Sequence, residues 1–258
     1  MSHYQRIACL STEAVETLYA LGAEDVIAGI SGFTVRPPRA REEKTKISGF
    51  SSTNLERILA VEPDLVIGFC DMQADICRDL VKAGIEVHQF NQRTVDGILR
   101  MIAVLAALVQ REDAGRELIA SLRTDIAAAR TRAAAWTRKP VMYFEEWNDP
   151  LMSGIGWAAE LIAIAGGRDA FPELSVQPGA KERIIADSHD VVARAPDIIL
   201  ASWCGKKFQP AQLAARPYWE TIPAVKNQML FEIKSPDILS PGPAAITEGL
   251  RQISDIIA

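Results

Sequence analysis

Along the first ninety residues, short apolar runs alternate with longer amphipathic ones. Residues 6–10, 26–30, 65–69 and 87–90 read as strands, the third a continuous apolar stretch suited to burial on both faces. Between them the spacing turns helical. A Ser11/Thr12 start followed by Glu13 and Val15 opens a helix that stops at Gly22. Asn54 caps a second helix reaching Ala60, and a third ends at Gly84. Residues 33–46 are polar and Pro-containing and read as an excursion. Helices between strands imply parallel sheets, with functional loops at the strands' carboxyl ends.

Residues 112–136 differ in character. They are rich in Ala, Arg, Glu and Leu, lack Gly and Pro after Gly115, and carry apolar positions at Leu118, Leu122, Ile126 and Ala129. At a rise of ~1.5 Å per residue this predicts one helix of roughly 35 Å, placed mid-chain as a connector. Beyond it the first half is echoed. Glu62-Pro63-Asp64-Leu65-Val66-Ile67 has a partner 133 positions on, Ala195-Pro196-Asp197-Ile198-Ile199-Leu200. The helix end from Glu16 to Gly22 is matched 144 positions on, from Glu160 to Gly166. The polar excursion accounts for the difference in offset. The predicted fold class is α/β: two Rossmann-like lobes with parallel sheets, residues 1–110 and 138–258, joined by a single long backbone helix over 111–137. Facing sheet edges would leave a ligand cleft between the lobes.

With 258 residues, 48% of them hydrophobic, the chain is at the size where one core gives way to two. A net charge of −5 with scattered bases argues against nucleic acid as a partner. The longest apolar stretch, residues 98–109, is broken by Arg100 and too short for a transmembrane segment. Cys9, Cys70, Cys77 and Cys204 form no C-x-x-C pair and read as free thiols. Position 1 is Met and no leader-like sequence precedes the first strand, so the sequence as it stands reads as cytoplasmic. A leader replaced by the start Met would make it periplasmic instead.

Several segments together resemble the bacterial solute-binding proteins that serve iron–siderophore and vitamin B12 (cobalamin) ABC importers. They are Arg6-Ile7-Ala8-Cys9-Leu10-Ser11, Thr17-Leu18-Tyr19-Ala20-Leu21-Gly22, Asn54-Leu55-Glu56-Arg57-Ile58, Glu62-Pro63-Asp64-Leu65-Val66-Ile67 and Ala165-Gly166-Gly167. The likeness covers essentially the whole chain, and the Asn54–Ile58 and Glu62–Ile67 pair is its most specific part. It implies two α/β lobes on a stiff backbone helix, and a closure on ligand that is small. It also implies that a glutamate on each lobe docks into the ABC permease, if the protein is exported. Glu56 matches the first by motif and Glu220, in Tyr218-Trp219-Glu220, the second more loosely.

The loops after the strands supply the candidate ligand-binding residues: Phe33, Arg36, Phe50, Asp71, Glu145, Trp147, Trp203, Cys204, Lys206 and Asp237. The aromatic side chains offer flat faces to a ring system. Arg36, Lys206 and Lys207 offer charge to carboxylate or phosphate groups. Cys204 beside two lysines suggests a depressed thiol pKa, against a plain reading as a small turn residue before Gly205. Glu145 and Glu146 are neighbours on an extended segment, so only one is expected to face the ligand. Ser153-Gly154-Ile155-Gly156-Trp157-Ala158-Ala159 fits a dinucleotide pattern, but its approach is too long and its side chains too bulky; a capped helix start able to meet an anion is the better reading.

Three histidines are too few for a three-histidine metal site, and no Walker loop or G-x-S-x-G elbow is present. The sequence therefore predicts a monomeric, non-catalytic binder of a small-molecule metal chelate, cobalamin or a ferric siderophore, with no cofactor of its own. It would serve an ABC-type uptake system or be a cytosolic relative of such a component. The alternative is a cytosolic enzyme or cofactor carrier acting on a tetrapyrrole-like ligand, using Cys204, Lys206 and one of Glu145/Glu146.

Overall fold

The computed structural model describes residues 3–49 and 54–258. The chain divides into two compact units. One comprises residues 1–92 and 96–122, the other residues 93–95 and 123–258.

The first unit is built on five strands: β1 (Ile7–Cys9), β2 (Ile27–Ser31), β3 (Thr45–Ser48), β4 (Leu65–Phe69) and β5 (Glu86–Phe90). They pair in the order β3-β2-β1-β4-β5, every pair parallel. β4 is buried along its whole length, as its unbroken apolar run requires. Ala8, Leu10, Ile47, Ile58, Val66 and Leu80 form a core on one side of this sheet. β3 lies inside the stretch read from sequence as an excursion. It has one buried apolar residue, Ile47, and sits at the sheet's edge.

The second unit holds β6 (Val141–Asn148), β7 (Leu151–Ser153), β8 (Arg168–Asp169), β9 (Ile198–Ala201) and β10 (Leu230–Glu232). The order is β10-β9-β6-β7, with β8 also on β6. All pairs are parallel except β6 with β7, which form an antiparallel hairpin across a cis Asp149–Pro150 bond. β6 runs as far as Asn148 because β7 pairs with its second half. Tyr143, Phe171, Trp203, Trp219 and Ile199 anchor its core.

The two sequence echoes share backbone detail. Glu62 and Ala195, each before a proline, both take φ +46°. The following aspartates then reach back to the start of a strand. Asp64 accepts from the Gln5 and Arg6 amides at 2.6 and 3.0 Å, and Asp197 from the Val141 amide at 2.9 Å. Gly22 and Gly166 end their helices at φ +62° and +95°. In each, the next amide bonds back to the last turn, Ala23 to Leu18 and Gly167 to Ile162, both at 2.9 Å.

A single helix spans Glu112–Ala134. Leu122, Ile126, Ala129 and Ala133 make its buried stripe at helical spacing. Residues up to Leu122 count with the first unit and those from Arg123 with the second. Gly115 lets it approach the preceding helix (Val95–Leu108), since a Cβ there would stand 2.5 Å from that of Ala106. Among the described residues no helix is long and apolar enough to cross a membrane.

Candidate functional site

Because the first sheet is wholly parallel, the carboxyl ends of β2, β1 and β4 share one edge. After β2 the chain is tightly pinned. The Gly32 amide donates to the Ser48 carbonyl at 2.7 Å and the Thr34 amide to that of Ser31 at 3.0 Å. The Arg41 guanidinium donates to the carbonyls of Gly32 and Thr34 at 3.3 and 3.0 Å. Held this way, the turn turns Phe33 outward at 61% exposure, with Val35 also exposed. Arg36 follows, half-buried, before a cis bond to Pro37. Phe50 lies outside the described residues.

After β4, Cys70 takes φ +63°. Two glutamines that the sequence pattern does not mark brace this point. Gln73 accepts from the Phe69 amide at 2.9 Å and donates to the Leu10 carbonyl at 3.2 Å, while Gln89 donates to the Cys70 carbonyl at 2.5 Å. The loop then exposes Asp71 and Met72, the latter at 56%. Below this edge Glu13 is buried in the first turn of its helix. Desolvation raises its carboxyl to about 7, offset in part by hydrogen bonding from its own amide, Ser11 and Thr12.

In the second unit, Glu145 and Glu146 point to opposite faces of β6, and each meets its own arginine. Arg216 grips Glu145 through two bonds of 2.6 and 2.9 Å, and the Trp203 indole N–H donates to the same carboxylate at 2.8 Å. Arg183 grips Glu146 at 2.5 and 3.0 Å and also donates to the Ser153 carbonyl at 2.7 Å. Two of the candidate ligand residues are therefore corrected. Glu145 is 0% exposed and Trp203 3%, because each satisfies the other in the interior and Arg216 completes the set. They support the loop from below.

What stays at the surface is a smaller set. Trp147 is half-buried, its indole N–H donating to the Asp149 carbonyl at 2.8 Å. The Lys206 ammonium sits 4.1 Å from the centre of that ring and 3.4 Å from Asn148 Oδ1. Cys204 is exposed, but its thiol is pushed up by the partial burial around it and by the charge of Glu146. The shift is upward, set first by desolvation and then by Glu146, so the plain reading of a small turn residue before Gly205 is the one that fits. Asp237, half-buried in the short helix Ser235–Ile238, accepts from Gln252 at 3.1 Å.

Gly156 opens the helix Gly156–Ile164, where a side chain would strike the Arg93 carbonyl. The Arg93 carbonyl thus lies close over this residue, and no side chain caps the helix start. The four cysteines are free, and among the described residues no three His, Cys, Asp or Glu side chains gather as a metal site.

Residues 7–236 match the periplasmic binding protein family. The chain belongs to that family. A vitamin B12-binding protein of Vibrio campbellii is 25% identical over 242 residues, covering 92% of this chain and 84% of its own length. Another from Salmonella typhimurium is 28% identical over 241 residues, covering 91% and 86%. Among solved structures, a periplasmic heme-binding protein of Roseiflexus sp. RS-1 superposes with a TM-score of 0.82 at 22% identity, covering 98% of this chain and 99% of that one. The two acidic positions singled out above both lie at the surface. Glu56 is exposed on the helix Leu55–Leu59, whose first amides bond to the Asn54 side chain at 2.8 and 3.3 Å. Glu220 is exposed on a one-turn 3₁₀ helix, beside the buried Trp219.

Proposed function

We propose that this protein is the solute-binding component of an ABC-type uptake system and that it captures a ring-bearing metal chelate. A corrinoid leads, with haem and ferric siderophores as members of the same class. One observation carries the reading: apolar side chains reach the surface at the carboxyl edges of the sheets, Phe33 and Met72 exposed in the first unit and Trp147 half-buried in the second. Flat apolar faces kept in place by pinned turns suit a conjugated ring, and strand carboxyl ends are the usual ligand edge of α/β sheets. The vitamin B12-binding relatives support the corrinoid, and Arg36, Lys206 and Lys207 supply cations for an anionic arm.

The metal is cargo within the ligand, so the protein needs no cofactor of its own. Glu56 and Glu220 are assigned to permease docking, each exposed on a short, well-capped or core-backed element. On this reading the protein works on the outer side of the membrane, where the permease receives its load. A thermal-shift screen with cyanocobalamin, haem and ferric siderophores tests it. A ligand at 100 times its dissociation constant should add about 2.7 kcal/mol of stability. Melting unmoved by every member of the panel would end the proposal.

A further inference from the structure

The Trp147 ring is already occupied. Lys206 holds its ammonium 4.1 Å from the ring centre, with Asn148 Oδ1 3.4 Å away as its other neighbour. The loop bearing the lysine is fixed at both ends and closed by the Lys206 amide, which donates to the Trp203 carbonyl at 3.0 Å. Trp203 is tied to Glu145 and packs edge-on against Phe208 at 5.2 Å, and both are buried, whereas residues 204–207 are exposed. Gly205, at φ +74°, makes the turn between them. A four-carbon stem on such a loop can move its charge without moving the loop.

From this arrangement we infer that Lys206 is a displaceable cover: an incoming flat ring takes the Trp147 face, and the released ammonium turns to an anionic arm of the same ligand. This inference rests on the proposed function and narrows its ligand class to flat ring systems carrying a carboxylate or phosphate. A ring without such an arm must break the cation–π contact and receives nothing in return, at a cost of about two- to five-fold in affinity. A ring with the arm recovers that cost through a charge-assisted hydrogen bond. Lys206 thus sets specificity by charge while Trp147 sets it by shape.

The test compares probes with and without an anionic arm: iron(III) protoporphyrin IX against its dimethyl ester, and cyanocobalamin against dicyanocobinamide, which lacks the whole nucleotide loop with its phosphate and carries a second cyanide. Each is titrated into wild type, Lys206→Met and Lys206→Arg, all expected to fold because the side chain is exposed. Lys206→Met should weaken the charged member of the binding pair about five-fold or more and tighten the uncharged member two- to five-fold. Lys206→Arg should restore the charged member. If both members shift in the same direction, or neither shifts, the cover is refuted while the proposed function stands. If wild type binds no member of either pair, the macrocycle reading fails and the inference goes with it.

Discussion

One tryptophan of the second unit lies near the end of β6 and another follows β9, and their indole partners differ. The Trp203 indole finds the Glu145 carboxylate and is drawn inside; the Trp147 indole finds only the Asp149 carbonyl and its ring stays at the surface. Sequence alone ranks them equally, because the deciding partner, Arg216, lies 71 residues from Glu145. Removing that arginine should be costly. Arg216→Ala strands a fully buried carboxylate and is expected to lower unfolding free energy by about 3–5 kcal/mol in urea titration. A loss below about 1 kcal/mol would mean that the pair is not holding this core. Glu13 gives a second expectation at this scale. Its folded pKa, about 7, lies above the ordinary glutamate value of 4.5, so the folded state holds the proton more tightly. Its contribution is complete below about pH 4.5 and is lost as pH rises toward 7. Glu13→Gln should therefore flatten the decline in stability over that window and raise stability at pH 7.5, by an amount on the order of 1–3 kcal/mol. Melting curves that keep the wild-type pH dependence would contradict this.

At the level of elements, the long signals were legible and the short ones were not. β4 and the helix Glu112–Ala134 declare themselves through an unbroken apolar run and a four-turn stripe. β3, β7 and β8 have two to four residues each, mix polar with apolar positions, and become strands only because a longer neighbour offers hydrogen bonds. The internal echo proved more informative than its sequence identity suggests. Asp64 and Asp197 each fasten a strand start in their own unit, a role that the Pro-Asp motif does not announce. Asp64→Ala and Asp197→Ala should each cost about 1–3 kcal/mol by leaving main-chain amides unpaired. Hydrogen exchange should accelerate at β1 in the first variant and at β6 in the second. Equal acceleration in both units from either change would argue against separate fastenings.

At the scale of the molecule, each unit has its own sheet and core, and one helix contributes to both. That division was readable from the repeat and from the change of composition at mid-chain. The candidate site was only partly readable. Phe33, Asp71, Trp147 and Lys206 emerged from their positions after strands, while Gln73, Gln89 and the two buried arginines that shape those loops carry no local mark. The most direct test of the account is an equilibrium titration with cyanocobalamin and with haem of wild type, Phe33→Ala and Trp147→Ala. Phe33 is exposed and Trp147 half-buried, and neither belongs to the buried cores, so binding can be read without loss of fold. One of the two ligands should bind wild type, and at least one of the variants should weaken it ten-fold or more, about 1.4 kcal/mol. Absence of binding, or binding indifferent to both substitutions, would contradict the account.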